Sequence, residues 1–399
     1  MTQRLIVLGG GPGVCDRARI AGAELTLVNP AASLEAPLLG AMRRTLVAEY
    51  DDPSLVPMLK AWHAVEPFHG VIALTELALL PAARINDALG LPGVGVEVVE
   101  RTRDKVLMRE WLALQRFPSV PADAASSSDD IHRFALAHGY PVIAKPRRGQ
   151  GSQSVRRFDD AEQVRRAAIA GADLIVERVI EGPEFSVESF SFGRRHVIYA
   201  VTGKMVNEGN ADHPYVEVGH VVPAPISRQQ HELIVRHVLN FLDVMGIHDT
   251  CAHTELRLTP AGPRVIETHT RVGGDSIPTL VRHATGADLI DMAAHWPLGL
   301  IGDSLPAPRE RGAAAIRFFT PRPGQVLQVT GVERWRSQPG VVTLHLPLKP
   351  GDIVRAPRDS ISRAGYVVCT GHDAAAAMQA CEDVLAGITI DTQPQAVSS

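Results

Sequence analysis

Hydrophobic and polar positions change period several times along the chain, and each change marks an element. The apolar run Leu5 to Leu8 passes into the glycine-rich turn GGGPG, a helix through Ala18 and a second strand, AELTLVN. A further strand and helix, in GVIALTELALLPAARINDALGLPG, complete a small α/β domain over residues 1–100. From Arg101 the period becomes helical. TRDKVLMREWLALQRF sets Val106, Leu107, Trp111, Leu112 and Leu114 on or near one face until Pro118 and Pro121 end it, and SSSDD caps the next helix at Ile131.

Strand alternation then takes over. Pro141 to Lys145 predicts a strand that runs into the loop RRGQGSQSV, and ADLIVERVIEGPEFSVESFSFGRRHVIYAVTGK predicts three strands with a turn at Gly182 and Pro183. NEGNADHPYVEVGHVVPAP has no clear period and reads as a loop. A helix over Gln229 to Met245 precedes a hairpin, and another covers Ile277 to His283. The segments AAIRFFT, GQVLQV, GVVTLHL, GYVVCTG and the helical AAAAMQACEDVLAGI form a small α+β domain over residues 312–399, ending in a frayed PQAVSS tail. Residues 101–311 make the central domain, with a lid subdomain over about 138–205.

The hairpin lies in CAHTELRLTPAGPRVIETHTRVGGD, Cys251 to Asp275. Strands at Ala252 to Leu258 and Arg264 to Thr270, joined by Thr-Pro-Ala-Gly-Pro, place Glu255 opposite Glu267 and His253 opposite His269 if the register is symmetric about Ala261. Facing side chains on one face lie roughly 5 Å apart. Two carboxylates so held repel, and a hard divalent cation bridging to phosphate oxygens relieves this; a hairpin with its charges solvated is the alternative.

Composition narrows the classes. The 399 residues, 45% hydrophobic and 21% charged, suit two or three soluble globular domains, and a net charge of −4 favours a small-molecule partner over nucleic acid. Cys15, Cys251, Cys369 and Cys381 form no CxxC pair, no apolar run reaches a membrane span, and the N-terminal LIVL is short for a signal-peptide core, so a cytoplasmic protein is expected. Only five of the 40 basic residues are lysines: Lys60, Lys105, Lys145, Lys204 and Lys349. A compact ammonium meets a single phosphate where a planar guanidinium fork does not fit, so these lysines are candidates for such contacts.

The GGGPG turn is not a dinucleotide fingerprint: Val14 stands at the third glycine position, and Asn29, not an acid, ends the second strand. The strand-end Lys145 and the loop with Gly149, Gly151, Ser152 and Ser154 are a better phosphate cradle, since glycines let the loop close and its amides and hydroxyls donate.

In their order, the DK helix start, AKP before a glycine loop, ERVIEGPEFSVE, HTEL and ETHTRVGGD resemble the ATP-grasp superfamily. Within it the chain resembles the carboxylate-amine ligases that join amino acids into dipeptides, the L-amino acid ligases. The resemblance covers nearly the whole chain and implies a multidomain α/β and α+β ATP-grasp fold. It implies ATP between two antiparallel sheets, with Lys105 and Lys145 on the phosphates and Gly149 to Ser154 as a lid. Glu177 and the backbone through Val179 and Ile180 would read the adenine, and Glu184 the ribose. Glu255 and Glu267 would hold one or two Mg²⁺. The chemistry implied is phosphorylation of a carboxylate to an acylphosphate, which an amine attacks to give an amide, ADP and phosphate.

Arg271 would stabilise the oxyanion; its plain alternative is a structural salt bridge. Glu217 and His220 match a Glu-x-x-His segment before proline that lines the amino-acid site, and Gly273, Gly274 and Asp275 follow Arg271 as in those ligases, where close approach of backbone to ligand would explain the glycines. Lys204 fits the pattern loosely. A homodimer is the family expectation. His269 departs from the pattern, which has asparagine as a metal ligand there; imidazole is a poorer ligand for Mg²⁺ and a better one for Mn²⁺ or zinc. A carboxylase- or purine-pathway-type enzyme and an inactive nucleotide-binding protein are the alternative functions. VEVGHVVP and the lack of a basic phosphate pocket in the N-terminal domain count against the first, and the retained lysines, carboxylates and Arg271 against the second.

Overall fold

A computed structural model of the chain describes residues 2–36, 40, 42–151, 153–206 and 216–394. The N-terminal part is a parallel sheet in the order β3-β2-β1-β4, from β1 (Arg4–Leu8), β2 (Glu24–Asn29), β3 (Arg44–Val47) and β4 (Gly70–Ala73). Its first two strands are apolar almost throughout because helices cover both faces, as parallel sheets require. The amphipathic stretch from Arg101 belongs to two helices, Val96–Arg103 and Lys105–Leu114. Between them Asp104 leaves the helical conformation and caps the second through Val106 N and Leu107 N, at 3.0 and 3.2 Å, which puts Lys105 at that helix's first position.

A second sheet, in the order β5-β8-β6-β7, contains β5 (Ala122–Ala125), β6 (Val142–Pro146), β7 (Arg156–Phe158) and β8 (Leu174–Arg178). The largest sheet has eight strands in the order β13-β12-β9-β10-β11-β14-β18-β16. These are β9 (Glu184–Phe192), β10 (Arg195–Val206), β11 (Glu217–Val222), β12 (Thr250–Thr259), β13 (Gly262–His269), β14 (Ala313–Phe318), β16 (Val341–His345) and β18 (Tyr366–Gly371). A small sheet of β15 (Gly324–Thr330), β17 (Ile353–Val354) and β19 (Thr389–Gln393) completes the strands.

Two features differ from the expectations. The stretch read as an aperiodic loop contains β11, whose Glu217 and His220 therefore sit on a rigid strand; residues 207–215 of that stretch lie outside the described residues. Its alternation is weak because both faces of the strand are covered. And β14, at the expected start of the C-terminal domain, pairs with β11, Gly219 opposite Arg317 through Val222 opposite Ala314, so one sheet runs from the central part into the C-terminal part.

The helix Arg228–Met245 packs against this sheet with Ile234, Val238, Phe241, Leu242 and Met245, a spacing that draws one stripe along it. Burying each such side chain contributes about 1.5–3 kcal/mol. Gly182, in the turn before β9, has φ +130°, and a Cβ there would lie 2.2 Å from the Leu258 carbonyl oxygen, so only glycine permits this turn to rest on the hairpin. With the rear face committed to the core, the polar face of β9 to β13 is turned toward the β5-β8-β6-β7 sheet.

Candidate active site

The hairpin pairs Glu255 with Glu267 and His253 with His269 as expected. Its register is not symmetric throughout: a bulge between Glu255 and Leu256 leaves Ile266 without a partner and moves Arg257 opposite Arg264. The bulge changes the register only toward the turn, so the four polar side chains keep their rows. On the other side β9 sets Glu188 beside His253, Ser186 beside Glu255 and Glu184 beside Arg257. Cross-strand neighbours on one face thereby build a lattice of ionic groups.

Each carboxylate of the hairpin has a histidine behind it, and each histidine a second carboxylate. His253 meets Glu188 through Nδ1 at 2.9 Å and Glu255 through Nε2 at 3.1 Å. His269 meets Glu76 through Nδ1 at 3.0 Å and Glu267 through Nε2 at 3.3 Å. Burial alone would lower both imidazoles, but their carboxylates prevail: His253 is pushed up to about 9, and His269 is also raised.

The lysines reach into this lattice. Lys105 Nζ lies 2.9 Å from Glu267 and donates to the Gly149 carbonyl at 3.1 Å. Lys145 Nζ lies 2.7 Å from Glu177, whose other oxygen takes Arg109 at 2.8 Å. Burial would raise the Glu177 carboxyl, yet the two cations hold it down at about 2. Lys204, on β10 opposite His220, lies 2.9 Å from each of Glu184, Glu217 and Glu255. Burial opposes its charge, but the three carboxylates raise its pKa well above the ordinary value, and Lys204 in turn holds Glu255 and Glu217 below theirs against their own burial. Lys60 and Lys349 are exposed.

Beyond the hairpin, Arg271 donates to Glu76 at 3.2 Å, to the Val272 carbonyl at 2.9 Å and to Gln150 of the glycine loop at 2.7 Å. Asp275 accepts from both terminal nitrogens of Arg363 and meets His220 Nε2 at 3.0 Å; Ser360 donates to Glu217 at 2.7 Å. The 217–220 pair and the 271–275 segment thus line one cavity, adjoining the cleft that Lys105, Lys145, Gly149, Ser154, Glu177, Ile180 and Glu184 line.

Four expectations need correction or restriction. Val179 is not on the cleft wall, and its amide is taken by the Pro141 carbonyl at 3.2 Å, so it has no donor left for a base. Gly273 is small because a Cβ would lie 2.8 Å from His253 Nδ1, a close approach to a side chain of the protein itself; Gly274 faces open space. Both ring nitrogens of His269 are engaged by carboxylates, Nδ1 by Glu76 and Nε2 by Glu267, so a place as third ligand beside Glu255 and Glu267 would require the Glu267 contact to give way to the ion. Ser152 lies outside the described residues, while Gly149 and Gly151 take φ +146° and +68° and Ser154 +56°.

The test of fit for Mg²⁺ falls on the pair of carboxylates. Glu255 and Glu267 are hard oxygen donors facing one another, charged and each balanced by a lysine and a histidine; they fit the ion, while His269 offers it a softer nitrogen donor. Glu76, Arg109, Glu188, Ser360 and Arg363 belong to the site and are not evident from the motifs. Two of them leave a trace: Glu76 follows the C-terminal end of β4, where parallel sheets place ligands, and Glu188 is a charge at an inward position of an apolar strand.

Comparison with known proteins agrees with this architecture. Residues 15–93 match the ATP-grasp N-terminal domain, 138–279 the ATP-grasp domain, and 317–393 the L-amino acid ligase C-terminal domain 2. An uncharacterized protein, y4rH, of Sinorhizobium fredii is 28% identical over 311 residues, 75% of this chain but only 63% of that protein's length. Dapdiamide A synthase of Enterobacter agglomerans is 24% identical over 333 residues, covering 79% of this chain and 78% of the synthase. Among solved structures, the L-amino acid ligase from Bacillus licheniformis superposes with a TM-score of 0.81 at 23% identity, covering 98% and 99% of the two chains. The N5-carboxyaminoimidazole ribonucleotide synthetase from Thermotoga maritima shares the fold at a TM-score of 0.74 and 16% identity, covering 98% and 100%. No helix among the described residues is long and apolar enough to cross a membrane.

Proposed function

We propose that this chain, which matches the ATP-grasp N-terminal domain, the ATP-grasp domain and the L-amino acid ligase C-terminal domain 2, joins two amino-acid-like substrates through an amide bond at the expense of ATP. The observation that carries this is three lysines buried against carboxylates, Lys105 and Lys145 in the cleft and Lys204 in the adjoining cavity that Arg271 also lines. Lysines so placed are free to exchange a carboxylate for a phosphate oxygen when a nucleotide enters.

In this reading Lys105 and Lys145 meet the phosphates, the Gly149–Ser154 loop covers them, and Glu184 with the backbone near Ile180 holds the nucleoside. Glu255 and Glu267 would hold Mg²⁺, which when bound supplies charge neutralisation at the β- and γ-phosphates. The acid's carboxylate attacks the γ-phosphorus; the bond to the ADP oxygen breaks, and an acylphosphate forms. The amine nitrogen then bonds to the acyl carbon, the carbon–oxygen bond to phosphate breaks, and the ammonium's surplus protons pass to solvent. Arg271, on the side of the cleft away from the nucleoside, donates to the oxygen that becomes anionic, and Gln150 and Glu76 fix its guanidinium. Glu217 faces the substrate ammonium.

The C-terminal domain match favours this reading over a carboxylase- or purine-pathway-type reaction. The test is ADP release over pairs of amino acids, with mass spectrometry of the products. An amide product that disappears in Lys145→Met supports the reading; ADP release that responds to bicarbonate but to no amine overturns it.

A further inference from the structure

Three cavities lie end to end. The nucleotide cleft and a central cavity of about 250 Å³ share Gln150, Glu255 and Glu267. The central cavity shares Asp275, Ser360, Ile361 and Arg363 with a third, of about 320 Å³, and the first and third share no residue. The third cavity sets apolar and aromatic side chains beside the polar Ser276, His345 and Ser360. Ile316, Phe318, Pro347 and Tyr366 line it, and Ile361 stands at its mouth, 78% exposed on the segment between β17 and β18.

Its charged residues are already spoken for. Arg363 gives Nε to the Ser360 carbonyl, Nη1 to Asp275 and the Glu217 carbonyl, and Nη2 to Asp275, while its guanidinium lies 3.5 Å over the Phe318 ring. It is therefore a fixed partition between the cavities. Asp275 and Ser276 both have left-handed backbone, φ +51° and +57°, which side-chain-bearing residues rarely adopt and which clusters at ligand sites. With Asp275 and Arg363 neutralising each other, an apolar group entering this space displaces water without stranding a charge.

We propose that the third cavity receives the side chain of the amine-supplying substrate and selects an apolar or aromatic one. This rests on the ligase reading. In that reading the acid's carboxylate must reach the γ-phosphate and so occupies the central cavity beside Glu255, Glu267 and Arg271. The amine then approaches from the side away from the nucleotide, and the third cavity lies on that side. Ile361, exposed in the free protein, is covered by the entering side chain.

The test measures ADP release with one fixed carboxylate partner and glycine, alanine, leucine and phenylalanine as amines, for wild type, Ile361→Ala and Ile361→Trp. Ile361 is exposed, so both variants are expected to fold, and a thermal melt checks this. In wild type kcat/KM rises with apolar side-chain size. Ile361→Trp fills the mouth and lowers the phenylalanine-to-glycine ratio by roughly tenfold or more, whereas Ile361→Ala spares bulky amines. An equal loss for all four amines, or an effect on the KM of the fixed acid alone, overturns the proposal. If wild type releases no ADP with any pair, the ligase reading fails by itself. Calorimetric titration of the same amines into the complex with a non-hydrolysable ATP analogue then decides the cavity. Affinity that grows with side-chain size and loses that dependence in Ile361→Trp upholds it, and size-independent or undetectable binding overturns it.

Discussion

Glu76, just past the last strand of the N-terminal sheet, accepts from Nδ1 of His269 at 3.0 Å across 193 positions of the chain. The same oxygen receives Arg271 at 3.2 Å, and the other oxygen takes Arg103 at 3.1 Å. Burial would raise this carboxyl, but His269 and the arginines hold it at about 2. Glu76 therefore ties the N-terminal domain to the two hairpin-end side chains nearest the proposed reaction. Glu76→Gln keeps the shape and removes the charge, at a loss of about 1.5–3 kcal/mol in charge-assisted bonding. Steady-state kinetics should show kcat reduced roughly ten- to hundredfold with the KM for ATP little changed. An unaltered kcat would mean that Arg271 is positioned without it.

His269→Asn separates the two things a side chain at this position can do. Asparagine supplies a hard oxygen beside Glu267 and gives up the bond to Glu76. Titration of activity with Mg²⁺ and Mn²⁺ should show half-saturation by Mg²⁺ at a lower concentration in the variant, with the preference moved from Mn²⁺ toward Mg²⁺. Identical metal profiles in the two proteins would show that His269 does not reach the metal.

Lys204 neutralises three buried carboxylates at once. Lys204→Met leaves Glu184, Glu217 and Glu255 facing one another without it, and removal of one partner from a buried ionic group costs about 3–5 kcal/mol. Chemical denaturation should report a loss of that order. Lys204→Arg should recover little of it, because a planar fork cannot point at three carboxylates as an ammonium can. Full recovery by arginine would show that charge alone matters.

Glu177 sets an acid limit. Its folded pKa, about 2, lies below the ordinary carboxyl value of 4.5, so its stabilising contribution is present in full above the unfolded value and is lost as pH falls from about 4.5 toward 2. Melting temperature followed from pH 6 to pH 2 should drop through this window, and Glu177→Gln, less stable at pH 6, should drop less steeply. Parallel curves for the two proteins would place the acid sensitivity elsewhere.

Much of this organisation was legible in the one-dimensional pattern. Alternation in HTEL and VIETH paired the two glutamates, because cross-strand position follows from strand period and turn length over a few residues. The scarcity of lysine marked five candidates: Lys105 and Lys145 are buried in the cleft and Lys204 in the adjoining cavity, whereas Lys60 and Lys349 are exposed. The order of the motifs named the fold. The bulge at Ile266 escaped, since an extra unpaired residue leaves no compositional mark, and so did β11, covered on both faces and lacking alternation.

The sequence by itself determined the local geometry and the chemical inventory: which residues form strands, which face each presents, and which cations and carboxylates are available. The tertiary structure alone decided how that inventory is shared. It brings Glu76 to His269 and Arg271, Arg109 to Glu177, Glu188 to His253, and Arg363 and Ser360 to Asp275 and Glu217. Those contacts join residues from about 65 to almost 200 positions apart, beyond any turn or strand period. They exist because packing of the sheets closes those loops, and it is this packing that sets His269 between two carboxylates.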